Sequence, residues 1–309
     1  MREVSFEPNL SINTLGTLFK TPILTCSGTF GSGLEYSEFV DLNRLGAVVT
    51  KGVATVPWPG NPTPRICETP SGMLNAVGLE NAGVDHFLKN DIAKLKGYDT
   101  NIIVNVCGHS VDEYLSCVEK LNGSGVTALE INISCPNVAE GGLSFGTNPK
   151  GVYDITKKIK SITDIPVIMK LTPNVTSITE IAKAAEDGGA DAISLINTIT
   201  GMKIDIERRD FVLANKTGGL SGPAIHPVAV RMVYECYKAV EIPIIGMGGV
   251  TTYKDAIELM MAGASLVAVG TANFNNPCAT MEIIDGMTEY CVSHDVKDIT
   301  ELIGAVHKQ

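Results

Sequence analysis

From Pro22 onward the chain alternates short, continuous apolar runs with stretches whose apolar residues recur three and four positions apart. The runs Ile23–Cys26, Ala47–Thr50, Ile102–Val106, Ala128–Ile131, Val167–Leu171, Ala192–Ile196, Ile242–Ile245 and Leu266–Val269 predict strands. They are apolar throughout rather than alternating, as parallel strands covered by helices are. The stretches between them predict helices over 36–45, 84–96, 111–121, 153–162, 178–186, 227–239, 253–261 and 280–292. Eight strands, each followed by a helix, predict a (β/α)8 barrel that takes the whole chain, residues 1–309, as one domain. An internal echo supports the repeat: Asp164-Ile165-Pro166-Val167-Ile168 matches Glu241-Ile242-Pro243-Ile244-Ile245. A doubly wound open sheet is the competing architecture, but no G-x-G-x-x-G follows the first strand.

Additions to the barrel are also legible. Turn signals at Pro8-Asn9 and Leu15-Gly16 predict an N-terminal β-hairpin closing the barrel's bottom. Insertions follow strands two, four and six. The first, from Thr55 to Glu80, has a tip at Pro57-Trp58-Pro59-Gly60-Asn61-Pro62 that regular structure cannot take up. The second runs through Asn132-Ile133-Ser134-Cys135-Pro136-Asn137 to Gly146, and its glycines predict a mobile loop. The third spans Asn197 to Ile225.

In such a barrel, chemistry sits where the strands end. The residues there are Ser27-Gly28, Lys51-Gly52, Asn105, Asn132 with Cys135 and Asn137, Lys170, Asn197-Thr198, Gly246 to Gly249, and Gly270-Thr271. Two carboxamides flanking one thiol suit a planar polar ligand with a proton-transfer group beside it. A small apolar filler is the bland alternative for the cysteine. Lys51 and Lys170 each close an apolar strand, either as solvated charges or as anchors for an anionic substrate and an electron-rich cofactor edge. Gly246-Met247-Gly248-Gly249 and Gly270-Thr271 fit tight turns. Their adjacency around a barrel favours backbone N–H groups aimed at a phosphate.

Composition narrows the partners. A hydrophobic share of 44% fills a sizeable core, and a net charge of −10 argues against nucleic acid. No apolar run reaches the roughly 18 to 20 residues of a membrane span, and Met1–Phe6 lacks a signal peptide's apolar core. The eight cysteines contain no C-x-x-C pair and the five histidines are isolated, so no metal or cluster site is expected on this chain. Free thiols point to the cytoplasm, and the seven cysteines other than Cys135 read as fillers.

Over nearly its whole length the chain resembles the class 1 dihydroorotate dehydrogenases. The likeness is carried by Thr50-Lys51-Gly52, Asn75-Ala76-Val77-Gly78-Leu79-Glu80-Asn81, Asn132 to Asn137, Lys170-Leu171-Thr172-Pro173 and Gly246 to Val250. It implies a flavoprotein with one FMN per chain, oxidising dihydroorotate to orotate in pyrimidine (UMP) biosynthesis. Cys135 would remove the C5 proton while hydride passes from C6 to the flavin. By the same resemblance Lys51, Asn75, Ala76, Val77, Gly78, Leu79, Asn132, Asn197 and Thr198 would contact substrate. Ser27, Lys51, Gly52, Asn105, Asn132, Lys170, Ile196, Gly222, Gly248, Gly249, Gly270 and Thr271 would contact the cofactor.

Asn75 to Gly78, Val138 to Gly142 and Gly218 to Pro223 look like the NAD-linked class 1B catalytic subunit. That implies a partner subunit carrying FAD and a 2Fe–2S cluster, in a heterotetramer around a homodimer of this chain. The class 2 enzymes use serine as base and carry an N-terminal extension. Open alternatives are a fumarate-linked class 1A enzyme, a dihydropyrimidine- or dihydrouridine-type flavin reductase, and a barrel that binds without catalysing.

Overall fold

Eight of the apolar runs become the strands of a closed parallel barrel: β1 (Ile23–Thr25), β2 (Ala47–Val49), β3 (Asn101–Val106), β4 (Ala128–Asn132), β5 (Val167–Lys170), β6 (Ala192–Leu195), β7 (Ile244–Met247) and β8 (Leu266–Val269). Each strand pairs with its sequence neighbours, and β8 closes the ring on β1 with Val267 opposite Ile23. The computed structural model describes residues 6–133 and 145–308. The loop holding Ser134, Cys135, Pro136 and Asn137 therefore lies outside the described residues, together with its expected mobility.

The helices between strands show why the periodicity was informative. Val111–Leu121 buries Tyr114, Cys117, Val118 and Leu121, one stripe at i, i+3, i+4 and i+7, and its N-cap Ser110 accepts from the Glu113 N–H. Pro149–Lys160 begins with Asn148 as cap and proline in the first turn, and carries Lys157, Lys158 and Lys160 in the last. Each fully buried leucine, isoleucine or valine on these faces contributes about 1.5–3 kcal/mol. Val84–Leu95 keeps Val84, Phe87, Ile92 and Leu95 buried only because a wide turn over Phe87–Asp91 inserts one extra residue between the two halves of the stripe.

Three expectations are corrected. The helix expected over 36–45 is two short 3-10 turns, Leu34–Tyr36 and Leu42–Arg44. Asp41 separates them: its backbone is extended, and its carboxylate caps the second turn by accepting from the Asn43 N–H. β7 starts at Ile244 rather than Ile242, because Pro243 has no N–H to give the ladder. Gly246 thus lies inside the strand, not beyond it.

The insertions are more ordered than expected. Strands Ile66–Thr69, Gly72–Asn75, Thr217–Ser221 and Ile199–Met202 form an antiparallel four-stranded sheet drawn from the insertions after β2 and β6. At the opposite end, the hairpin Ile12–Thr14/Thr17–Phe19 buries Ile12 and Phe19. The Asn101 amide, at the start of β3, donates to the Leu18 carbonyl at 3.0 Å, which fixes the hairpin against the barrel's bottom. Among the described residues no helix is long and apolar enough to cross a membrane.

Candidate active site at the barrel mouth

Strand register sets the deepest layer of the mouth. Asn105 on β3 stands opposite Glu130 on β4, and Lys170 on β5 opposite Ser194 on β6. All four are buried inside otherwise apolar strands. The Glu130 carboxylate accepts from the Asn105 amide at 2.6 Å and the Ser194 hydroxyl at 2.8 Å, and pairs with the Lys170 ammonium at 3.5 Å. Lys170 reaches on to the Ser27 hydroxyl past the end of β1, at 3.1 Å. The expected residues Ser27, Asn105 and Lys170 are therefore joined through Glu130, which sequence reasoning passed over as part of a strand. Its signal was present: a lone carboxylate in an apolar run must find donors or a cation when buried.

A second group forms where β4 and β6 end. The Asn197 amide donates to the Asn132 side-chain oxygen at 3.4 Å, and the Asn132 carbonyl accepts from the buried Tyr114 hydroxyl at 2.6 Å. The Thr198 N–H donates to the Asn197 side chain at 2.8 Å. Thr198 also packs on Gly219, where a Cβ would stand 2.0 Å from its hydroxyl. Asn75, paired with Gly219 in the antiparallel sheet, donates to the Gly219 carbonyl at 3.4 Å. Beyond Asn75 the chain passes through Ala76 and Val77 to Gly78 and Leu79, both with positive φ. Leu79 comes back over Gly52, so the 75–79 segment runs from the strand that holds Gly219 to the end of β2.

The glycines expected at a phosphate come together on the β7–β8 side. Gly248 and Gly249 both have positive φ. A Cβ on Gly248 would meet Ile196 at 3.3 Å, and one on Gly249 would meet the Gly222 carbonyl and His226 at 2.8 Å. His226 clamps this loop from below, with Nδ1 2.8 Å from the Gly248 carbonyl and Nε2 3.2 Å from Glu258. Gly270 packs on Cys26, and the Thr271 hydroxyl donates to Ser221 at 2.8 Å. The antiparallel sheet is thus tied to the mouth at Thr198 and at Thr271.

Lys51 differs from Lys170. Half-buried at the end of β2, it lines a cleft of about 420 Å³ with Gly52, Trp58, Asn81 and His86. Among the described residues its ammonium has no ion-pair or hydrogen-bond partner, which suits an anionic ligand. A larger groove of about 490 Å³ lies between helices His226–Tyr237 and Tyr253–Ala262, on the outside of the barrel and away from these side chains.

Three of the other thiols are held far from reactivity. Burial pushes Cys117 and Cys236 up to about 12. Cys26, partly open to the mouth, is raised by desolvation to about 12 although Lys170 pulls it down. Raised in this way, these thiols stay protonated near neutral pH. Iodoacetamide on the native protein, mapped by peptide mass spectrometry, is expected to spare these three while Cys135 reacts. Labelling of Cys26 as fast as Cys135 would count against Cys135 as the reactive thiol.

Comparison with known proteins gives one answer. The family model described as dihydroorotate dehydrogenase matches residues 9–291. A protein of Lachnoclostridium phytofermentans named dihydroorotate dehydrogenase B (NAD(+)), catalytic subunit, is 61% identical over 96% of this chain and 99% of its own length. Proteins of the same name from Alkaliphilus oremlandii and Caldicellulosiruptor bescii are 60% and 52% identical, covering 96% and 97% of this chain and 98% and 99% of their own. The chain belongs to the dihydroorotate dehydrogenase family, and these relatives within it are NAD(+)-linked catalytic subunits.

Proposed function

We propose that the chain is the catalytic subunit of an NAD(+)-linked dihydroorotate dehydrogenase, oxidising (S)-dihydroorotate to orotate in pyrimidine synthesis with FMN at the barrel mouth. One observation carries the reading. Lys51, Asn105, Asn132, Lys170 and Asn197 meet at one strand-end rim in a chain 61% identical to a protein of that name.

The residues fit FMN. The buried Asn105 side-chain oxygen finds no hydrogen-bond partner among the described residues, so it can accept from a ligand N–H. The crowding around Gly248 and Gly249 leaves no room for side chains, so their backbone can approach a phosphate closely. Ser27, Gly52, Asn105, Lys170, Ile196 and Gly222 would hold the ring and ribityl parts, and Gly248, Gly249, Gly270 and Thr271 the phosphate. FMN, when bound, supplies the two-electron acceptor that the oxidation needs.

The chain's own residues would do the rest. Lys51 neutralises the substrate carboxylate. Asn75, Asn132, Asn197 and Thr198 present donors and acceptors that hold a planar ring in register, with Ala76 to Leu79 covering it. Cys135, as thiolate, accepts the C5 proton, which the adjacent ring carbonyl acidifies. The electrons then go to a partner subunit carrying FAD and a 2Fe–2S cluster, around a homodimer of this chain. The words "catalytic subunit" in the relatives' names support the existence of a partner subunit.

The test is anaerobic. Dihydroorotate added to the purified chain is expected to bleach its flavin absorbance, and fumarate is expected not to restore it. Rapid recovery with fumarate would favour an enzyme that works without a partner. Preference for dihydrouracil would favour a reductase of the uracil type, and no bleaching with either would overturn the reading.

A further inference from the structure

The strongest feature unused by this chemistry is the Glu130 carboxylate. It is 1% exposed, too deep in the barrel to meet solvent. Every partner it has among the described residues is a donor: the Asn105 amide, the Ser194 hydroxyl and the Lys170 ammonium. A buried ion pair is weak support for stability, because well-packed apolar side chains of similar volume often do as well or better. A carboxylate kept in this layer therefore calls for another explanation.

We propose that Glu130 is the positioning residue of the mouth, orienting Asn105 and compensating Lys170 so that together they set the affinity and reduction potential of bound FMN. The inference rests on the flavin reading above.

The orientation follows from acceptor chemistry. An ionised carboxylate only accepts, so the Asn105 amide must turn its nitrogen toward Glu130. Its oxygen is thereby turned away and lies 3.3 Å from where a Cβ on Gly52 would stand, with no partner among the described residues. A neutral amide at position 130 could both donate and accept, and the Asn105 side chain would lose its fixed sense.

The charge argument is separate. Glu130 and Lys170 together carry no net charge, and Lys170 extends from that pair to Ser27 at the rim. Removing the negative member leaves an uncompensated cation in a poorly solvated layer, which favours the electron-richer reduced flavin.

The experiment begins with the wild-type chain, measuring FMN affinity and the bound flavin's midpoint potential by dye equilibration. Glu130→Gln, nearly isosteric, is expected to raise the potential. At a fixed ratio of reductant to oxidant the reduced-to-oxidised ratio should rise at least tenfold, about 30 mV for two electrons. A potential equal to wild type, with only thermal stability lowered, would overturn the inference by returning Glu130 to a structural role. Glu130→Asp keeps the charge but is one methylene too short to hold the Asn105 amide. Its potential should stay near wild type while FMN affinity falls about tenfold, and unchanged affinity would overturn the orienting role even if the glutamine variant fails to fold. A wild-type chain that binds no flavin would strike down the function reading first and this inference with it.

Discussion

With Cys135 replaced by alanine, the protein is expected to keep its FMN and to be reduced by dihydroorotate about 100- to 10,000-fold more slowly, the range general-base catalysis supplies. The groups that would hold the cofactor are Ser27 past β1, Gly52 past β2, Asn105 and Lys170 on β3 and β5, Ile196 and Gly222 past β6, and the β7–β8 glycines, so affinity should not follow rate. Asn132, three residues before Cys135, is pinned at its carbonyl by the Tyr114 hydroxyl and at its side chain by Asn197. Stopped-flow reduction under anaerobic conditions separates the two effects. In the wild type the reduction rate should rise with pH toward the thiol's pKa, since only the thiolate accepts a proton, and the alanine variant should lose that dependence. Reduction of the variant at nearly wild-type speed would remove Cys135 from the role. Cys26 offers no substitute, because desolvation pushes its thiol well above the ordinary range.

The barrel was legible because its signal is local and repeated. Each of the eight apolar runs specifies a covered parallel strand, and stripes such as Tyr114, Cys117, Val118 and Leu121 specify a helix face without reference to the rest of the chain. What escaped was non-local or small. The antiparallel sheet pairs Asn75 with Gly219 across nearly half the chain, and glycines at 218 and 219 weaken the strand signal where that pairing occurs. The segment 36–45 has enough apolar residues for a helix, but Asp41 both stops one turn and caps the next. At the mouth, Ser27, Asn105, Asn132, Lys170 and Asn197 could be listed from strand ends alone. Their organiser Glu130 lies two residues short of the end of β4, where attention to termini does not reach, and only the register with Asn105 reveals it.

Gly249→Ala is expected to weaken FMN binding by at least a hundredfold, and the reasons are steric. Gly249 has φ +69, where a side chain adds about 1–2 kcal/mol of strain. The new Cβ would also stand 2.8 Å from the Gly222 carbonyl and 2.8 Å from the His226 side chain. Neither yields cheaply: Gly222 itself packs against Gly72, and His226 is held between the Gly248 carbonyl and Glu258. The loop must therefore move, and the backbone N–H groups that would face the phosphate move with it. Gly123→Ala supplies the comparison. That glycine has nearly the same φ, +74, but nothing lies within 4 Å of its Cβ position. It should lower stability by about 1 kcal/mol and leave FMN affinity unchanged, as measured by quenching of flavin fluorescence. Similar, small losses of affinity in both variants would mean that the crowded loop after β7 does not hold the phosphate.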